Sequence, residues 1–253
     1  MSFRIVYGRA GTGKSEYCYR EIAQKIKEEN KILIITPEQF SFTAEKKLMN
    51  AIDTQAVLNA EVVTLSRMAY RVINEIGGKT ETNLSKCGKA MLIYSILNNN
   101  KKELKFLGKT DENVDMLDTA ITEFKKHGVS VEQLNEEIDK QDDIYLKNKL
   151  KDLSVVYNGF EEQLSGKYID ETDLLTILAQ NIENTDMFKD AVIYIDEFAG
   201  FTSQEYQIIE KLVQIAKQVT ITICTDELHD IKNPDTDIFY SNQVTVNKLL
   251  EVA

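Results

Sequence analysis

Residues 8 to 15 read Gly-Arg-Ala-Gly-Thr-Gly-Lys-Ser, a complete G-x-x-x-x-G-K-[ST] loop. Glycines at 8, 11 and 13 let the backbone bend around an anion and bring its N–H groups close. Those groups, with the N-terminus of a following helix, make a nest for phosphate oxygens. The candidate contact surface for ATP is therefore the whole loop: Gly8, Arg9, Ala10, Gly11, Thr12, Gly13, Lys14 and Ser15. Lys14 would reach the β- and γ-phosphates as a point charge, and the Ser15 hydroxyl would take one coordination site on Mg²⁺. The competing reading is a glycine-rich turn that happens to precede a lysine.

A second element is required, and it stands at residues 191 to 198, Ala-Val-Ile-Tyr-Ile-Asp-Glu-Phe. An apolar run followed by two carboxylates suggests a buried parallel strand ending at the active edge of a sheet. Asp196 would hold Mg²⁺, directly or through water, and Glu197 would polarise the attacking water as general base. Alone, this stretch reads better as a buried strand with an ordinary acidic exit. Paired with the loop, it makes Glu197 and Lys14 the candidate catalytic residues.

The elements that must position these groups follow from pattern. Phe3, Ile5, Val6 and Tyr7 form an apolar run read as a buried strand, and Tyr17, Ile22 and Ile26 mark the helix after the loop. Lys31 to Thr36 reads as a second buried strand, stopped by Pro37-Glu38-Gln39-Phe40. A helix is expected over Phe42 to Leu58, and a short strand over Glu61 to Thr64. Met68, Val72, Ile73 and Ile76 then mark a helix ended by Gly77-Gly78. Alternating strand and helix gives a parallel, wound sheet. From about residue 83 to 180 strand signals vanish and helical periodicity takes over, as in Leu150, Leu153, Val156, Tyr157 and Phe160. Strands return at Ala191 to Ile195 and Val219 to Cys224, joined by a helix around Tyr206 to Ala216. The expected organisation is an α/β nucleotide fold from 1–82 and 181–253, interrupted by an all-helical insertion over 83–180. Thr225-Asp226, at the tip of the last strand, is either a γ-phosphate sensor or an ordinary strand exit.

Composition narrows the partners. The chain has 253 residues, 43% hydrophobic and 28% charged, which suits a globular protein with a sizeable core. No apolar run approaches a membrane span, and no charged-then-apolar leader precedes the first strand. Cys18, Cys87 and Cys224 form neither a zinc pattern nor a disulfide framework, so the cytoplasm is the expected compartment. Cys18 reads as core filler. His127 and His229 have no partner pattern and read as surface residues. The net charge of −11 means that contact with nucleic acid is local, shared with a partner, or absent.

The order of these elements resembles the first motor domain of superfamily 1 helicases of the UvrD/Rep/RecB type, a RecA-like P-loop NTPase fold. Val63-Thr64-Leu65-Ser66-Arg67-Met68-Ala69-Tyr70-Arg71 is similar to their T-F-H-S-L-A-Y-R stretch, and Tyr168 to Leu175 to their D-F-D-D-L-L stretch. Two phrases point further, to the AddB-type subunit of the bacterial AddAB helicase–nuclease. They are Ile35-Thr36-Pro37-Glu38-Gln39-Phe40-Ser41-Phe42-Thr43-Ala44-Glu45, and the F-x-G-F-T-x-x-E pattern from Phe198 to Glu205. The resemblance covers essentially the whole chain. It implies work on single- and double-stranded DNA in break repair and recombination, with an AddA-type subunit as heterodimer partner. It also implies a longer protein, whose second motor domain, nuclease and iron–sulfur cluster would lie beyond these 253 residues. No Gln precedes the phosphate loop where related helicases place an adenine-reading glutamine.

On this resemblance, single-stranded DNA would cross Thr36, Gln39, Phe40, Thr64, Ser66 and Arg67. Phe40 could stack on a base or serve as a core aromatic, and Arg67 could pair a phosphate or hold an acidic neighbour. Two other classes remain open. A small-molecule kinase would need an arginine-rich lid, yet the insertion contains no Arg. A scaffold would bind nucleotide without turning it over.

Overall fold

Ile32-Leu33-Ile34-Ile35 is buried at every position, as a strand covered by helices on both faces requires. The computed structural model describes residues 2–52, 59–78, 81–107, 113–228 and 236–252. By its internal contacts the chain divides into two units, Met1–Gly78 with Ile177–Ala253, and Lys79–Thr176.

The first unit is built on five parallel strands. In chain order its elements are β1 (Ser2–Gly8), α1 (Lys14–Lys25), β2 (Ile32–Ile35), α2 (Ser41–Ile52), β3 (Ala60–Val63) and α3 (Leu65–Glu75). The sheet runs β1-β7-β6-β2-β3, where β6 is Val192–Ile195 and β7 is Gln218–Cys224. This is the helix-flanked parallel sheet expected from the sequence. Ile32, Ile34, Val62, Val192 and Tyr194 form a core with Cys18, Tyr19 and Ile22 of α1 and Ala44 and Leu48 of α2. Leu33, Ile35, Ile193 and Ile195 alternate to the opposite face and are buried too. Cys18 is indeed core, and burial pushes its thiol up to about 12. Helix α2 is described to Ile52, so the end expected at Leu58 lies outside the described residues.

One expectation needs correction. β1 is not a buried strand: among the described residues it pairs only with β7, and Tyr7 is 46% exposed. An apolar run does not reveal whether one edge or two will be paired.

The second unit holds β4 (Thr82–Asn83), α4 (Lys86–Asn99), α5 (Val114–Lys126), α6 (Val131–Asp139), α7 (Ile144–Leu164) and β5 (Tyr168–Ile169). It is not wholly helical, since β4 and β5 pair in parallel, Thr82 with Tyr168 and Asn83 with Ile169. Two-residue strands carry no periodicity, so the sequence gives no sign of them. The apolar core gathers Ile93, Leu117, Ile121, Val156 and Phe160, all fully buried. Beside it lies a buried charge network. The Lys89 ammonium reaches Asp118 at 2.8 Å and Asp170 at 3.1 Å, and Lys125 reaches Asp173 at 2.6 Å. Both ammonium groups sit over the Phe160 ring, at 5.5 and 5.6 Å. The Asp170-Glu171-Thr172-Asp173 phrase thus serves this network, and it also opens α8 (Glu171–Asn181): Asp170 N–H donates to Asp173 at 3.0 Å.

α9 (Ser203–Ile215) and α10 (Tyr240–Val252) both pack against β7. α9 starts with a capping box, Thr202 and Glu205 satisfying each other's backbone N–H groups, which explains the T-x-x-E of the last phrase. Its two phenylalanines, Phe198 and Phe201, pack ring to ring at 5.1 Å. His127 is exposed, and His229 lies outside the described residues. Among the described residues, no helix is long and apolar enough to cross a membrane.

Candidate nucleotide site

The loop between β1 and α1 takes backbone angles that explain its glycines. Gly11 and Gly13 have φ of 76° and 87°, the left-handed region that side chains disfavour. A Cβ on Gly8 would stand 2.6 Å from the Thr12 hydroxyl oxygen, so only glycine lets the loop close there. That hydroxyl donates to the Arg9 carbonyl at 2.8 Å. The Lys14 ammonium donates to the Gly8 and Arg9 carbonyls at 2.8 and 2.9 Å, which holds it over the loop.

The sheet order decides what faces the loop. β7 lies between β1 and β6, in register with both: Gly8 pairs with Cys224, and Ile195 with Ile221. The next residue on β7, Thr222, therefore stands beside Asp196. Its hydroxyl donates to Asp196 Oδ1. Asp196 is 4% exposed, and its backbone N–H donates to Ile35 O at 3.0 Å. Its other oxygen, Oδ2, is buried without a hydrogen-bond partner. A buried carboxylate oxygen left unpaired costs about 1–3 kcal/mol or more, and a bound cation would satisfy it. The residues present therefore fit Mg²⁺, with the Ser15 hydroxyl and Asp196 as the groups to hold it.

One cavity of about 880 Å³ is lined by Gly11, Gly13, Lys14 and Ser15 of the loop and by Asp196, Glu197 and Thr222. Glu197 stands there with φ of 67°, unusual for a residue with a side chain. Lys47 of α2 donates to its carboxylate at 2.8 Å.

The family model described as ADDB, N-terminal, matches residues 5–253. The chain belongs to the AddB N-terminal family. Curated relatives are similar over its whole length, each named as the B subunit of an ATP-dependent helicase/deoxyribonuclease. The relative from Clostridium tetani (strain Massachusetts / E88) is 42% identical over 99% of this chain and 23% of its own length. Those from Clostridium botulinum (strain Loch Maree / Type A3) and Thermoanaerobacter sp. (strain X514) are 40% and 38% identical, over 100% of this chain and 22% of their own lengths. The chain thus spans less than a quarter of the curated relatives it matches.

Within this AddB domain, the residues expected to meet DNA separate into two groups. Gln39 and Phe40 line the same cavity as the phosphate loop, and Phe40 is 36% exposed, so it is not a core aromatic. Thr36 and Thr64 are each 1% exposed. Thr64 caps α3 by accepting from Arg67 N–H, and its hydroxyl donates to Glu38 at 2.6 Å. Ser66 is half-buried in the first turn of α3, and the Arg67 guanidinium meets Glu45 at 3.5 Å. Thr225 and Asp226, at the tip of β7, are both engaged within the protein. The buried Thr225 hydroxyl donates to Glu227 O at 3.2 Å, while Asp226 pairs with Arg9 of the loop at 3.0 Å. Sequence reasoning missed Thr222 and Lys47. Thr222 sits in an alternating Val-Thr-Ile-Thr-Ile-Cys run, where threonine reads as β-branched filler. Lys47 follows another lysine on a polar helix face and carries no spacing signal.

Proposed function

We propose that this chain is the ATP-binding, motor-like domain of a helicase–deoxyribonuclease subunit that acts on DNA in double-strand break repair and recombination. The observation that carries the reading is the shared cavity: the glycines of the loop, Lys14, Ser15 and Asp196 all line it, and Asp196 Oδ2 is buried without a hydrogen-bond partner. The names of the relatives support ATP dependence and DNA as the substrate class, and their designation as one subunit of an assembly supports an AddA-type partner. The cytoplasm is the compartment this role requires. A nuclease with an iron–sulfur cluster would belong to the rest of the relatives' length.

In this reading the loop amides and Lys14 take the β- and γ-phosphates, and Ser15 and Asp196 hold Mg²⁺. Bound there, Mg²⁺ would neutralise phosphate charge. Thr222 fixes the Asp196 carboxylate by engaging Oδ1, which would leave Oδ2 to hold Mg²⁺. Glu197 accepts a proton from the attacking water. Gln39, Phe40, Ser66 and Arg67 are the exposed or half-buried groups left to meet a single strand. Thr36 and Thr64 would then act by holding the loops that present those groups.

The test is a fluorescent ATP analogue for binding, with phosphate release measured with and without single-stranded DNA. Glu197→Gln is expected to keep nucleotide affinity within about twofold and to lower turnover by about 10²-fold or more, the usual worth of a general base. Unchanged hydrolysis would assign the proton to another group. One observation favours a second reading, nucleotide binding without turnover: Lys47 already occupies the Glu197 carboxylate. Binding of the analogue without strand-stimulated phosphate release would select it.

A further inference from the structure

Glu197 is the one group of the cavity whose conformation and pairing both oppose its proposed use. A left-handed backbone is strained for a residue with a side chain, so its direction is imposed by the exit from β6. Its carboxylate is engaged by Lys47 at 2.8 Å. A base held this way is aimed at the lysine and not at water.

The pair is easily exchanged. Lys47 and Glu197 side chains are 41% and 33% exposed, and ion pairs this open contribute little net stability. A strand phosphate competes well for such a lysine, because its capture releases condensed counterions into solution. Lys47 is placed to meet one. It lines the same cavity as Gln39 and Phe40, which precede α2 and are exposed. The exposed Phe40 ring offers a face on which a base can stack, in the cavity that Lys47 also lines.

We propose that Lys47 is a latch on Glu197, released when a phosphate of single-stranded nucleic acid takes the ammonium. Strand binding and nucleotide hydrolysis are thereby coupled through one side chain. Lys47 is a positioning residue: it acts on the reaction through Glu197. The inference rests on the hydrolytic reading of the site given above.

The 253-residue chain, its Lys47→Met and Lys47→Arg variants, ATP and an oligothymidylate strand are sufficient to test it. Lys47→Met is expected to raise strand-free kcat by about three- to fivefold, because an ion pair this open holds its carboxylate only weakly. KM for ATP should stay within about twofold, and the oligonucleotide should no longer stimulate. Lys47→Arg, which keeps the charge, should keep the dependence on the strand. A fall in kcat, a rise in KM, or stimulation that survives in Lys47→Met would each overturn the latch. The two failures are separable by fluorescent nucleotide binding. Wild-type chain that binds no nucleotide would remove the underlying reading. Chain that binds normally, with Lys47→Met no faster than wild type, would remove the latch alone.

Discussion

Replacing Lys14 with alanine is expected to weaken ATP binding by about 10²- to 10⁴-fold while leaving the fold in place. The size follows from what the ammonium can offer. Contacts from a charged donor to two phosphates contribute about 1.5–3 kcal/mol each, and about 1.4 kcal/mol is tenfold in affinity. The fold should survive because, among the described residues, Lys14 bonds only to the Gly8 and Arg9 carbonyls of the loop, which water can reach when the ammonium is gone. Fluorescence titration with an ATP analogue reads the affinity, and circular dichroism reads the helices. Wild-type affinity in the variant would move the nucleotide away from this loop. Unfolding of the variant would assign the lysine a structural role. Gly13→Ala provides a contrasting case. Its φ of 87° makes any side chain strained, so that variant should lose both loop geometry and affinity.

The loop and the acidic pair were legible because their chemistry requires fixed residue types at fixed spacing. The sheet was legible for a related reason: Lys31 to Thr36 and Ala191 to Ile195 are apolar runs too short for helices. What escaped depends on tertiary neighbours. Thr222 matters because β7 lies between β1 and β6, and strand order is not encoded in any local pattern. Lys47 matters because α2 brings it to Glu197, which is 150 residues away in sequence. The same limit applies to Thr64. As part of a Thr-Leu-Ser-Arg phrase it looks like a contact residue, yet its hydroxyl is spent on capping α3 and on Glu38. A cap and a ligand contact ask for the same residue types, so sequence alone does not separate them.

The helical unit supplies the second large effect. Asp170→Ala is expected to destabilise the protein by about 3–5 kcal/mol, the usual result of removing one partner from a buried ion network. Lys89 and Lys125 are 8% and 6% exposed at their side chains, and both lie close to Asp170, at 3.1 and 3.8 Å. Asp118 and Asp173 remain after the substitution, which favours the lower end of that range. The check is a urea titration, with the midpoint falling and the slope unchanged. Acid provides an independent reading of the same charge. Burial opposes ionisation of Asp170, but Lys89, the Thr172 hydroxyl and Lys125 outweigh it and hold the carboxyl below its ordinary value. A depressed carboxyl contributes stability that is full above its unfolded pKa of about 3.9 and is lost as pH falls through the folded value. The stability gap between wild type and Asp170→Asn should therefore be widest near neutrality and shrink below about pH 4. A gap that stays constant from neutral to acid pH would mean that shape, not charge, is what Asp170 contributes. In that case the two lysines would be held by Asp118, Glu161 and Asp173 alone.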